Sequence, residues 1–92
     1  MTMFKMTWAL AGEHADEWTG FGYGEAGRTL RDRVGAAVAA SGMSSEAQEH
    51  FRTTFITPLL KGIATEGYDA MQAGRQWSKA AGPLLVVLTP AA

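Results

Sequence analysis

Two histidines are the side chains best suited to metal or acid–base chemistry. His14 has Glu13 and Glu17 close by in the chain. Glu46 precedes His50 by one helical turn, a spacing at which both side chains can face a common ion. Carboxylate-bridged sites in helical proteins, however, use Glu-x-x-His on two helices, and the sequence does not contain this motif. Surface histidines beside helix-capping acids are the better interpretation, so we expect no metal and no cofactor.

Other sequence motifs of enzymes are missing or incomplete. None of the serines stands in Gly-x-Ser-x-Gly, the sharp turn that exposes a nucleophilic hydroxyl. Residues 22–27 spell Gly-x-Gly-x-x-Gly, but a dinucleotide site needs a buried strand before this motif, and the preceding residues are acidic. The chain has no cysteine, which excludes thiol nucleophiles and thiolate metal sites. We therefore do not expect an enzyme.

A basic cluster offers a different kind of chemistry. Arg28, Arg31 and Arg33 follow Phe21 and Tyr23 closely in the chain. Arginine and aromatic side chains together can bind phosphate and stack on bases, which makes nucleic-acid binding an alternative function. The net charge of −1 and the acids within the same predicted helix weaken this alternative, and nucleic acid is not the favoured partner.

Large aromatic side chains are numerous for a chain of 92 residues. Tyr68 falls on the polar side of its predicted helix, where it covers a loop or the C-terminal segment or else belongs to a binding surface. Aromatic and arginine side chains are enriched at the centre of protein interfaces, and they indicate such a surface here. The predicted partner-binding residues are Trp18, Phe21, Tyr23, Arg28, Arg31, Tyr68 and Arg75.

The element expected to position most of these residues is a long helix over 45–81. Its start is indicated by a capping-box pattern at Ser45, and its end by the pair Gly82-Pro83. Apolar residues recur at helical spacing throughout, but the stripes before and after Pro58 differ by about 120° in direction. Because proline also removes a backbone donor, we predict a kink near Pro58 that turns both stripes toward one core.

Two further helices are predicted over 8–19 and 25–40 from apolar residues at helical spacing. Residues 1–7 and 84–89 are extended segments for which two interpretations stay open. Each is a strand, the two pairing in a small sheet, or each is a tail docked on the helices. The expected fold is mainly α: one small helical domain over 1–92, a bundle of about three helices.

Composition places few restrictions on the compartment. Hydrophobic residues at 47% and charged residues at 18% are typical of a folded chain. No apolar run approaches the ~20 residues that span a bilayer, and no signal-peptide pattern opens the chain. We therefore expect a cytoplasmic protein without a membrane partner, with leaderless secretion as an alternative.

Residues Trp18-Thr19-Gly20 form a Trp-x-Gly motif. In this motif and in its length the chain resembles the WXG100 family of small secreted helical proteins. The resemblance implies a helical hairpin with Trp-x-Gly in its turn, and pairing of two hairpins as a dimer. The chain departs from the family pattern in two respects: only 17 residues precede Trp18, and Gln72 stands where the family has an acid after its C-terminal tyrosine.

The leading functional hypothesis is a non-enzymatic protein–protein interaction module: an adaptor, an assembly factor or an inhibitor of the phage or mobile-element type. It would act by binding another protein. One alternative is a homodimer of the WXG100 type, paired through the apolar face of 59–81. The other alternative is nucleic-acid binding through the three clustered arginines.

Overall fold

A computed structural model describes residues 3–91. Met1 and Thr2, part of the predicted extended N-terminal segment, lie outside the described residues. Over the described range the fold is α+β, with two helices packed on one face of a four-stranded antiparallel sheet. In chain order the elements are β1 (Phe4–Leu10), β2 (His14–Gly20), α1 (Tyr23–Ala40), α2 (45–72), β3 (Trp77–Ala81) and β4 (Leu84–Pro90).

The prediction of a mainly α three-helix bundle is wrong, and the first error is the helix over 8–19. This segment is most of a β-hairpin formed by β1 and β2. Ala11 and Gly12 have φ of +53° and +71°, and the Glu13 N–H donates to the Leu10 carbonyl over 3.0 Å, which closes a tight turn. The alternation of buried and exposed residues along β1 has the period of a strand.

The second error is the far end of the predicted helix over 45–81. Helix α2 ends at Gln72, and the chain returns as β3. Gly74 has φ +70°, its N–H donates to Met71 and the Arg75 N–H donates to Ala70. These two bonds form a Schellman motif, which satisfies the last helical carbonyls and ends the helix.

Pairing of the two extended segments is confirmed, but in a larger sheet than expected. The strand order is β2-β1-β4-β3, so β1 and β4 lie side by side in the centre. Phe4 is opposite Pro90, and Leu10 is opposite Leu84. The edge strands β2 and β3 flank this pair and supply the width that a two-stranded sheet lacks.

Helix α2 turns its two apolar stripes toward one core by changes of helix type along its length. Its α-helical segments Ser45–Phe51, Thr57–Gly62 and Tyr68–Gln72 alternate with π-helical segments Arg52–Ile56 and Ile63–Gly67. A π turn holds one residue more than an α turn, so the stripe is rotated without a break. Phe51 and Ile56, five residues apart, are both buried, and the Thr57 N–H donates to the Arg52 carbonyl. The chain stays helical through Pro58.

The core lies between the sheet and the two helices. Its sheet members are Phe4, Met6, Trp8, Leu10, Leu84, Val86 and Leu88, and its helix members are Ala26, Leu30, Val34, Val38, Phe51, Ile56, Leu59, Ile63, Ala70 and Met71. The helices thus cover one face of the sheet only. In the described part of the chain, nothing covers the opposite face, which carries the exposed residues Lys5 and Leu85.

Candidate protein-binding surface

Aromatic rings gather at the end of the sheet where β1 begins, β2 ends and α1 begins. We call this region the aromatic end; it consists of Phe4, Trp18, Phe21, Tyr23 and Tyr68. Phe4 stacks on Tyr23 with ring centroids 4.5 Å apart and meets Trp18 edge-to-face at 5.4 Å. Tyr23 in turn meets Tyr68 edge-to-face at 5.1 Å. Four rings from β1, β2, α1 and α2 therefore form one continuous row.

The strand register explains why Trp18 reaches this row. Trp18 pairs with Met6, and Gly20 pairs with Phe4, so both lie on the helix-covered side of the sheet. The indole of Trp18 lies across Gly20, where a Cβ atom would stand only 2.5 Å from Trp18 Cζ2. A side chain at Gly20 would displace the indole from Phe4, so glycine there allows the row to form.

Two rings of the aromatic end are exposed. Phe21 is 50% exposed and Tyr68 is 45% exposed, whereas Phe4 is fully buried. The contact of Tyr68 with Tyr23 restricts its ring and so reduces the side-chain freedom that is lost when a partner covers it. Large aromatic side chains are enriched among interface hot spots.

The hydroxyl of Tyr23 is buried inside this region. Among the described residues it has no hydrogen-bond partner, and the side chain of Gln72 lies near it but outside hydrogen-bond geometry. Burial raises the pKa of the Tyr23 phenol, an effect that Gln72 partly offsets and Tyr68 reinforces. The phenol is therefore neutral at physiological pH and cannot serve as a general base.

The structure does not bring the predicted arginines to the aromatic end as a group. Arg31 pairs with Asp32 at 3.1 Å and lines a cavity of about 230 Å³ between α1 and α2. Arg28 is exposed on α1, and its guanidinium lies near Gly24. Arg75 is exposed in the loop that follows α2, a few residues beyond Tyr68.

Arg33, the third member of the predicted basic cluster, faces the sheet. It forms an ion pair with Asp16 of β2 and lies over the Trp8 ring, 5.9 Å from its centroid. Arg31 and Arg33 are thus bound to different acids on different sides of α1. This placement separates and partly neutralises the positive charge that phosphate binding would need.

The residues considered for metal or nucleophilic chemistry have structural positions. His14 begins β2 and His50 lies in α2, and over residues 3–91 no three metal-ligating side chains come together. The Ser41 hydroxyl donates to the Val38 carbonyl at the end of α1. The Ser44 hydroxyl accepts from the Ala47 N–H over 3.2 Å, so Ser44, one of the two serines suited to this position, is the N-cap of α2.

Sequence reasoning missed a second concave surface, on the uncovered face of the sheet. A groove of about 510 Å³ runs along β1 there. Thr7, Ala9 and Ala15 form its floor, and Leu85 and Val87 of β4 border it. Residues 84–88 form a continuous apolar run, so the sequence does not show that Leu85 and Val87 lie on the face opposite the core. Only their alternation with the buried residues of β4 shows this.

Comparison with known proteins does not place the chain in a family. No protein-family model matches it, and no curated protein and no solved structure matches it either. The fold implied by the Trp-x-Gly resemblance is wrong for this chain, because Trp18 to Gly20 end strand β2 and do not join two helices. Among the described residues, no helix combines the length and apolar character needed to cross a membrane.

Proposed function

We propose that this chain is a non-enzymatic protein-binding module whose contact surface is the aromatic end. The observation that supports this most directly is the exposure of Tyr68, which ends a row of packed rings, together with that of Phe21, which follows β2 directly in the chain. Each of the two rings is about half exposed, so covering both would contribute on the order of 2 kcal/mol by burial alone. That is the size of a typical hot-spot contribution.

The chemistry of this surface indicates what the partner presents. Phe21 and the ring of Tyr68 favour an aliphatic or aromatic side chain at the centre of the partner's contact area. The phenol of Tyr68 favours acceptor groups, such as carboxylates or carbonyls, beside that side chain. An adaptor, an assembly factor and an inhibitor would all use such a surface, because each acts by occupying a partner.

The test compares capture of partners by three forms of the chain: wild type, Phe21→Ala/Tyr68→Ala and Leu85→Ala. Leu85 is a matched control because it is 42% exposed but lies on the uncovered sheet face. Proteins captured from an extract of the source organism are identified by mass spectrometry and purified, and their affinities for the three forms are measured by calorimetry. We expect the double variant to bind at least about 30-fold more weakly, and Leu85→Ala to bind like wild type.

Circular dichroism and urea unfolding establish that each variant keeps the fold. If a purified partner binds the folded double variant as tightly as wild type, the aromatic end is not the contact surface. If Leu85→Ala loses the partner and the double variant retains it, the contact lies on the other face of the sheet.

A further inference from the structure

The uncovered sheet face carries a ridge beside a groove of matching length. Strand register places its outward side chains in three rows across the sheet. The rows are Ala15–Ala9–Leu85–Ala80, then Glu17–Thr7–Val87–Ser78, and then Thr19–Lys5–Thr89. Leu85 and Val87 form the ridge on β4, and the smaller Ala9 and Thr7 lie directly beside them on β1. Large and small side chains thus alternate between neighbouring central strands, about 4.8 Å apart.

This arrangement is complementary to itself. A twofold axis that runs parallel to the strands, above the boundary between β1 and β4, places β4 of one copy over β1 of the other. Leu85 then faces Ala9 of the second copy, and Val87 faces Thr7 of the second copy. The reciprocal contacts form at the same time, because a twofold interface uses the same patch on both chains. Facing sheets about 10 Å apart with aligned strands are a common packing of β proteins.

The charges on this face are compatible with the same axis. Lys5 and Glu17 form an ion pair at 2.9 Å within one copy. Under the twofold operation Lys5 faces Thr89 of the second copy and Glu17 faces Ser78. The two copies of Lys5 flank the axis, and the Glu17 partner of each offsets their repulsion. Glu17 lies on the edge strand, where its carboxylate stays at the rim and keeps contact with water.

The size of the face limits the area of the contact. Three strands of seven residues and one of five cover at most roughly 19 Å by 23 Å, or about 440 Å² on each copy. The total of roughly 900 Å² is below the ~1,200 Å² at which stable interfaces begin, and it belongs to the range of weak, reversible complexes. We therefore expect association only at micromolar or higher concentrations of the chain.

From these observations we infer that the uncovered sheet face binds a second copy of this chain, forming a weak, reversible face-to-face dimer in which the ridge of each copy packs into the groove of the other. This surface is separate from the aromatic end, so the dimer and the proposed partner can bind at the same time. It also differs from the face of 59–81 considered for dimerisation above, whose helical members Leu59, Ile63, Ala70 and Met71 are buried in the core.

The test exchanges the ridge and the groove by mutation. Sedimentation velocity from about 5 to about 500 µM is run on wild type, Leu85→Ala, Ala9→Leu and the double variant Ala9→Leu/Leu85→Ala. Leu85→Ala removes the ridge and Ala9→Leu fills the groove, so each single variant is expected to weaken the dimer by at least about tenfold. In the double variant a leucine on β1 again meets an alanine on β4 of the second copy, and we expect it to recover the dimer to within about threefold of wild type.

Each result bears on the inference directly. Rescue by the exchange supports the twofold packing, because a merely sticky face would associate more strongly when Ala9 becomes leucine. Wild type that is monomeric at the highest concentration overturns the inference and indicates a different protein as the occupant. Association that survives both single variants, or that is lost in Phe21→Ala/Tyr68→Ala, also overturns it. Unfolding curves of every variant show whether a loss of association has a cause other than the interface.

Discussion

The two faces of the central strands differ in the size and polarity of their side chains and in whether helices cover them. Toward the helices, β1 and β4 present Phe4, Met6, Trp8, Leu10, Leu84, Val86 and Leu88, all of them buried. Toward the other side they present Lys5, Thr7, Ala9, Leu85, Val87 and Thr89. The first set is large and uniformly apolar, and the chain's own helices cover it. The second set mixes small, polar and apolar residues, so it does not require cover from the chain, and its shape is available for contacts with other molecules.

Helix α2 comes close to the covered face at two glycines. Gly67 of α2 lies against Leu88, and Gly62 lies against the Trp77 ring. Both glycines are buried, and Gly67 ends the second π-helical segment. The covered face therefore depends on the absence of side chains at a few positions, whereas nothing comparable restricts the uncovered face.

The largest expected effect is a difference in stability between alanine substitutions at two leucines of β4, one on each face of the sheet. Leu88 is fully buried and Leu85 is 42% exposed, although both belong to β4. We expect Leu88→Ala to lower the free energy of unfolding by about 3 to 5 kcal/mol, through lost burial and a cavity. Leu85→Ala should lower it by less than about 1 kcal/mol. Urea unfolding of dilute samples, in which the chain is monomeric, measures the two losses in free energy of unfolding. Similar losses would show that the covered and the uncovered face contribute equally to stability.

The second prediction concerns the close approach of α2. A Cβ atom at position 67 would stand 2.7 Å from Leu88 Cδ1 and 3.3 Å from the Gly62 carbonyl oxygen. Gly67→Ala is therefore expected to lower the free energy of unfolding by about 1 to 3 kcal/mol. The matched control is Gly35→Ala in α1, where an added Cβ atom would have no described atom within 4 Å apart from the neighbouring backbone of its own helix. This control should raise stability by up to about 1 kcal/mol, because alanine favours the helix.

Equal effects of these two substitutions, measured by thermal unfolding, would mean that α2 can shift away from the sheet. The covered face would then be less tightly restricted than the contacts at Gly62 and Gly67 indicate.

Local signals in the sequence account for the parts of the fold that were predicted correctly. The helix predicted over 25–40 is α1, and the capping pattern near Ser45 marks the start of α2 to within one residue. The apolar run of residues 84–89 is a strand paired with β1, which is one of the two interpretations that the sequence leaves open. Each of these signals is contained within a few neighbouring residues.

The parts that were missed depend on contacts distant in sequence. Strand β2 has almost no buried residues, so its strand conformation comes from pairing with β1 and not from its own pattern. The aromatic residues of the candidate site were predicted from their type, but only the packing of Phe4 brings Trp18 and Tyr23 together. The groove depends on register between strands far apart in the chain, which no local pattern contains.

The smallest expected effect concerns the ion pairs of the edge strands β2 and β3. Asp16 of β2 and Lys79 of β3 are on the helix-facing side, and each forms an ion pair with a helix, Asp16 with Arg33 and Lys79 with Glu66. Inward-pointing charges at edge strands oppose pairing of sheets edge to edge. A bond from the Glu17 backbone N–H, and then the Arg33 side chain, hold the pKa of Asp16 below its ordinary value of 3.8.

Because the pKa of Asp16 is lower in the folded state than in the unfolded state, its contribution to stability is complete above about pH 4 to 5 and is lost as the pH falls through the folded value. Asp16→Asn should therefore be slightly less stable than wild type at neutral pH and indistinguishable from it near pH 2. Thermal unfolding across this range measures the difference, which should stay small because both partners are exposed to water. A difference that persists at the lowest pH would mean that Asp16 stabilises β2 by packing and hydrogen bonding and not by its charge. The edge of the sheet would then be stabilised in the same way as the covered face.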